Sequence, residues 1–208
     1  AWTLVRALDS LVDPSSGRVR IPGFHDAVRP LTAGERAHIA DLPDPTPAWR
    51  EQFGITSFPG GIEGAALLER LIGDPTATIA GLTSGYAGPG LKTIVPAVAR
   101  AKIDFRLVPD QWPADILAML RAHLDAEGFA AVAIHVVTQD GIPARTSSDD
   151  PWVRRVAAMT EEWFGQRTAI QPNSAGGIVM EPFMSALGAP TMFGGVRPTG
   201  GRYHAPNE

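Results

Sequence analysis

The sequence predicts a mixed fold, α+β or α/β, and three observations carry that reading. Residues 100–108 alternate strictly: Ala101, Ile103, Phe105 and Leu107 fall on one face, while Lys102, Asp104 and Arg106 fall on the other. Pro113 then opens a segment in which Ile116, Leu117, Leu120 and Leu124 recur at helical spacing until Gly128. Strand and helix patterns go on alternating through the second half of the chain, with no internal repeat and no low-complexity tract.

The elements follow in order. Leu4, Leu8 and Leu11 share one face, so the chain opens in a helix. It opens with no cap and no initiator methionine, which points to missing upstream sequence. Asp13-Pro14-Ser15-Ser16-Gly17 breaks that helix, and residues 18–21 alternate like a short strand before Pro22-Gly23. Thr32-Ala33-Gly34-Glu35 is a capping box and predicts a helix to about residue 42. Residues 41–47 read as a Pro-rich loop, 62–72 as a helix and 76–82 as a strand. Beyond residue 131, strands are predicted at 132–138, 168–170 and 190–196. Helices are predicted at 151–164 and 178–187. A domain boundary is placed near residue 131.

Composition narrows the function. The chain has 208 residues, 44% of them hydrophobic and 19% charged, which suits a soluble globular protein of one large or two small domains. A formal charge of −4 with no basic clustering argues against nucleic acid as a partner. No apolar run reaches the ~18 residues of a membrane span, and no signal-peptide pattern is present. Cysteine is absent, which excludes disulfides, Cys–zinc sites and thiol nucleophiles and fits a cytoplasmic location.

Two motifs invite a functional reading. Gly85 to Thr93 nearly spells a phosphate-binding loop, but Leu91 separates the last glycine from Lys92, and Ile94-Val95-Pro96 is no helix start. A Gly-rich bend between two strands is the better reading. No Gly-x-Ser-x-Gly elbow occurs, so a serine hydrolase has no support. Among the five histidines, none pair at His-x-x-x-His spacing. His38 and His123 are expected on helix surfaces, and His135 in a strand at the core or its edge. His204 differs. It sits in a Gly/Pro loop, Gly200 to Glu208, where a neutral imidazole can be aimed at a metal; a solvated terminus explains the same residues.

Four segments in the same order resemble the di-zinc metallopeptidase family that includes aminoacylase, carnosinase-type dipeptidases and glutamate carboxypeptidase. Ile21-Pro22-Gly23-Phe24-His25-Asp26 is similar to an early lid segment. Lys92-Thr93-Ile94-Val95-Pro96 followed by Ile103-Asp104-Phe105-Arg106-Leu107-Val108-Pro109 resembles the paired lid strands. Ser174-Ala175-Gly176-Gly177 resembles the loop lining the substrate pocket, and Arg202-Tyr203-His204-Ala205-Pro206-Asn207-Glu208 the last metal-ligand loop.

The resemblance implies a lid or dimerisation domain over residues 1–131, an antiparallel sheet faced by helices. It implies that 132–208 form the C-terminal part of an α/β zinc-hydrolase catalytic domain. It implies hydrolysis of dipeptides or C-terminal residues by metal-activated water, with two zinc ions in the intact enzyme. His204 would ligate one zinc. Arg106 would hold the substrate carboxylate, Thr93 would touch substrate from the partner subunit of a homodimer, and the amides of Gly176 and Gly177 would line the pocket. Strand polarity accounts for Arg106, strand propensity for Thr93 and loop geometry for the two glycines equally well. No other metal ligand and no catalytic glutamate of the family falls in the chain, so the chain alone is expected to be inactive. Asp140 stands where some members carry a transition-state stabiliser, and Ile178 where several carry a hydroxyl. Two other readings stay open: an amide deacylase of the same family acting on N-acyl amino acids, and a non-catalytic dimerisation module.

Overall fold

The computed structural model describes residues 1–139, 141–177 and 179–195. The elements run α1 (Trp2–Asp9), α2 (Ala33–Ala40), α3 (Thr46–Phe53), a 3-10 turn (Pro59–Gly61), α4 (Gly64–Gly73), β1 (Thr76–Ser84), β2 (Ala99–Arg106), α5 (Pro113–Ala126), α6 (Pro151–Phe164) and α7 (Glu181–Leu187). The fold class is therefore the mixed one expected, with an antiparallel sheet faced by helices.

The sheet has two strands, β1 and β2, paired antiparallel from Thr76↔Arg106 to Ser84↔Ala99. A bulge between Ile79 and Gly81 shifts the register midway. The predicted alternation in β2 holds. Ile103, Phe105 and Leu107 face a core built from Ala7, Leu11, Val19, Ile21, Phe24, Ile116, Leu120 and Leu124. Phe24 lies in contact with the Phe105 ring, centroids 5.9 Å apart. Thus α1, the 18–24 segment, α5 and the base of the sheet close over one another. A second cluster, Ile39, Leu68 and Ile72 with Trp49, Leu31 and Leu42, holds α2, α3 and α4 together.

The capping box forms as predicted: Thr32 Oγ1 accepts from the Glu35 backbone N–H at 3.1 Å, and Glu35 accepts from Thr32 N–H at 2.8 Å. The loop predicted at 41–47 gives way to α3. Its signals were Pro47 in the first turn and Gly54 just beyond the end, in the left-handed region at φ 63°. Asp44 accepts from the Thr46 N–H at 2.9 Å, and Thr46 Oγ1 in turn accepts from Gly64 N–H at 3.0 Å, joining the starts of α3 and α4.

Several predicted strands do not pair. Residues 18–21 make only a single bridge, Val12↔Val19. Residues 132–138 form no ladder among the described residues. The Arg121 guanidinium takes the Val132 carbonyl at 2.7 Å, where a neighbouring strand would have donated, although Val132 and Ile134 still pack on the first core. Residues 168–170 lie against α6, with Thr168 Oγ1 donating to the Ala157 carbonyl at 3.1 Å. In 190–195, one hydroxyl replaces a ladder: Thr146 Oγ1 donates to Thr191 O at 2.6 Å and accepts from Thr191 N–H at 3.0 Å. The last helix begins at Glu181 rather than 178.

Two histidines also depart from expectation. His123 is buried, and its Nε2 lies 3.0 Å from Ser10 Oγ, joining α5 to α1. Ser10 Oγ already donates to Ala7 O, so the imidazole is the donor in that pair. His135 is exposed rather than in a core or edge strand.

Candidate functional site

Arg106 ends β2, opposite Thr76, on the polar face of the hairpin. Its side chain is 59% exposed, and its Nε donates to Asp104 Oδ2 at 2.7 Å. Asp104 sits two residues back on the same face, so strand periodicity brings the two together. Among the described residues neither terminal nitrogen of Arg106 is hydrogen-bonded, so both stay available to another acceptor. Those are the atoms a carboxylate takes bidentately. An ion pair this exposed adds little stability; its effect is to orient the fork.

Thr93 lies in the long connection between β1 and β2 and is exposed. Residues 91–96 form no helix, which removes the phosphate-loop reading and supports the Gly-rich bend. The bend is locked by Tyr86, whose hydroxyl donates to Pro89 O at 2.9 Å. A Cβ on Gly88 would lie 2.5 Å from the Tyr86 hydroxyl oxygen, so the ring rests there because residue 88 has no side chain. Lys92 Nζ stands 5.8 Å from the Tyr86 ring centroid.

Gly176 and Gly177 sit in the exposed loop before α7. Asn173 anchors that loop, its Nδ2 donating to the Ile72 carbonyl at the end of α4 at 3.3 Å and its Oδ1 accepting from Ser174 N–H at 2.9 Å. Ser174 Oγ accepts from Gly176 N–H at 3.2 Å. The Gly177 amide has no such partner among the described residues. His204, Asp140 and Ile178 lie outside the described residues.

The structure does not gather these candidates into one pocket. A cavity of about 410 Å³ between the 18–31 segment, α2 and α4 is lined by none of Arg106, Thr93, Gly176 or Gly177, and neither is a shallow one beside Trp163. Among the described residues no three His, Asp or Glu side chains cluster closely enough to hold a metal ion. No helix among the described residues is long and apolar enough to cross a membrane.

Sequence reasoning missed one feature. Arg145 and Glu35 form an ion pair at 3.2 Å with side chains only 2% and 3% exposed. Arg145 also donates to the carbonyls of Arg29 and Pro30, each at 3.1 Å. Burial pulls the Arg145 pKa down, and the Glu35 carboxylate opposes that shift. The capping box marked Glu35 in the sequence, but nothing there indicated a cation more than a hundred residues away.

Residues 4–131 match the M20 peptidase dimerisation domain. The beta-Ala-His dipeptidase of Mus musculus is 32% identical over 123 residues, which is 59% of this chain and 25% of that protein. The crystal structure of an M20 family metallo-carboxypeptidase from Sulfolobus solfataricus superposes with a TM-score of 0.81 at 35% identity, covering 90% of this chain and 42% of that one. A dipeptidase structure from Saccharomyces cerevisiae gives a TM-score of 0.71 at 22% identity over 90% of this chain and 40% of that one, a likeness of fold. The chain thus spans about a quarter of the curated relative's length and two-fifths of the solved structures.

Proposed function

The chain belongs to the M20 peptidase dimerisation domain family, and from that premise we propose that it serves a zinc-dependent peptidase acting on dipeptides or C-terminal residues. Residues 1–131 act as the lid and dimerisation domain, and residues 132–208 belong to the catalytic domain. The carrying observation is Arg106: an exposed guanidinium, held by Nε against Asp104, with its terminal nitrogens open to a carboxylate. Thr93 reaches substrate from a partner subunit, and the amides of Gly176 and Gly177 border the pocket.

Zinc in the whole enzyme supplies a Lewis acid and an activated water. His204 is the one metal ligand proposed here. The described residues assemble no metal-binding group. The 208-residue chain by itself is expected to hold zinc weakly and to show no turnover, since a lone imidazole does not chelate.

Association is supported by the distal half of the hairpin. Ile79, Leu82, Leu91, Ile94, Val95 and Val98 are exposed there, and among the described residues no further strand pairs with the outer edges of β1 and β2. A two-fold homodimer through this domain is the arrangement we favour.

The test is Arg106→Lys in the enzyme that contains this chain together with its remaining metal ligands. Losing the bidentate fork should raise KM for dipeptides with a free carboxylate about tenfold, since a charge-assisted hydrogen bond contributes roughly 1.5–3 kcal/mol. C-terminally amidated dipeptides should be little affected. An equal loss on both substrates would rule out the carboxylate role.

A further inference from the structure

The cavity between the 18–31 segment, α2 and α4 has a charge pattern that the proposed peptidase function does not use. It measures about 410 Å³, within the range of small-molecule sites. Arg18, His25, Arg36, Glu69, Arg70 and Asp74 supply its polar wall. Three of these charges are already committed. Arg36 Nη1 is paired with Glu69 at 3.0 Å, bridging α2 to α4. Arg70 Nη2 donates to the Ser16 carbonyl, and the guanidinium fits under the 13–17 turn because Gly17 has no Cβ: one built there would lie 2.9 Å from Nη2.

The remaining groups separate into donors and acceptors. Among the described residues the Arg18 guanidinium and the Asp74 carboxylate have no side-chain partner, and both act electrostatically on His25. His25 Nε2 donates to the Val19 carbonyl at 3.1 Å. In the neutral ring this leaves Nδ1 as an acceptor. Burial is the main influence holding the imidazole below its usual pKa, and so neutral near pH 7. The cavity thus has, at its solvent-facing wall, donors on Arg18 and on the second terminal nitrogen of Arg70 that have no protein partner among the described residues, and acceptors on Asp74 and His25. Val28, Leu31 and Ala66 make up its apolar part.

We propose that this cavity binds the zwitterion of a free α-amino acid with an apolar side chain. The carboxylate is taken by Arg18, the ammonium by Asp74 and His25 Nδ1, and the side chain by Val28, Leu31 and Ala66. A simple anion would leave Asp74 facing it, and a simple cation would leave Arg18; only a ligand carrying both charges satisfies both walls.

The test is titration of the full 208-residue chain with L-leucine, followed by calorimetry and by NMR shifts of the His25 and Asp74 resonances. Leucinamide, which lacks the carboxylate, and 4-methylpentanoate, which lacks the ammonium, serve as comparison ligands on the unmodified protein. Leucine should bind at least about tenfold more tightly than either, the value of one charge-assisted contact. Arg18→Gln and Asp74→Asn should each reduce leucine binding by a similar factor. Absence of leucine binding overturns the proposal. So does equal binding of 4-methylpentanoate, which would indicate an anion site, or undiminished leucine binding by both variants.

Discussion

The first 126 residues and the segment from 141 to 195 are held together by different means. Among the described residues, nearly every buried apolar side chain lies at or before Leu124; Val153 and Pro172 are the exceptions. Beyond Leu124, Trp152, Met159, Trp163, Phe164, Phe183, Leu187 and Phe193 are exposed, Trp163 by 84%. That second segment is tied to the first by polar contacts directed at one patch around α2 and the end of α4. These are Arg145 to Glu35, Arg29 and Pro30, Arg167 to Asp41 at 2.6 Å, and Asn173 to Ile72. The first region therefore gets its stability from area removed from water. The second gets its position from a few directional bonds. Directional bonds fix a placement but contribute little net energy unless they are buried.

The largest expected effect breaks that link. Arg145→Met leaves Glu35 buried and charged without its cation, at a cost of about 3–5 kcal/mol. Glu35→Gln should cost less, because Arg145, though left without its anion, still donates to the Arg29 and Pro30 carbonyls, and the amide oxygen can still accept from Thr32 N–H. Urea denaturation of the two variants checks the order. Equal and small losses would mean that the buried pair does not hold the second region in place.

A smaller effect sharpens the contrast between the two cores. Leu124→Ala, on α5 in the main cluster, should cost about 2–5 kcal/mol through lost burial plus a cavity. Val153→Ala, on α6, removes two methyl groups and should cost about 1.5 kcal/mol. Thermal or chemical melts read both. If Val153→Ala proved as damaging as Leu124→Ala, the second region would have a core of its own that the burial pattern does not show.

The same division explains what could be read in the sequence. Periodicity reports burial, so it located α1, α4, β1, β2 and α5, each of which buries a face; the Thr32 capping box marked α2, and the 151–164 helix stands as α6 where the sequence put it. It also gave the face on which Arg106 lies. It failed where polar contacts decide. Residues 132–138 alternate like a strand, but Arg121 occupies the Val132 carbonyl. The α3 helix was hidden by Pro45 and Pro47 being read as loop markers, although a proline in the first turn favours a helix start. The Arg145–Glu35 pair was invisible because a contact across 110 residues of sequence leaves no local signal. Motif order, not periodicity, singled out Thr93, Gly176 and Gly177, and their placement in exposed loops is what such motifs share with ordinary turns.

The smallest effect concerns pH and falls at the junction of the two clusters, where His25 sits. Burial holds its pKa below the usual 6.5. The Val19 carbonyl opposes that shift, Arg18 reinforces it, and Asp74 and Asp26 weakly oppose it. Glu69, Arg36 and Arg70 face the same cavity. Above pH 6.5 the imidazole is neutral in both folded and unfolded chains and contributes no slope. As pH falls below 6.5 the unfolded chain takes up its proton first, so stability declines until the folded pKa is passed. The lowered carboxylates, Asp13 and Asp44, act only further down, below their ordinary 3.8. Unfolding free energies measured between pH 8 and pH 5 should therefore fall on the acid side for the native chain and stay flatter for His25→Gln. An NMR titration should place the imidazole below 6.5. A histidine titrating above that value, or an unchanged slope in the variant, would show that the cavity stabilises the charged ring and would reverse the sign of this contribution.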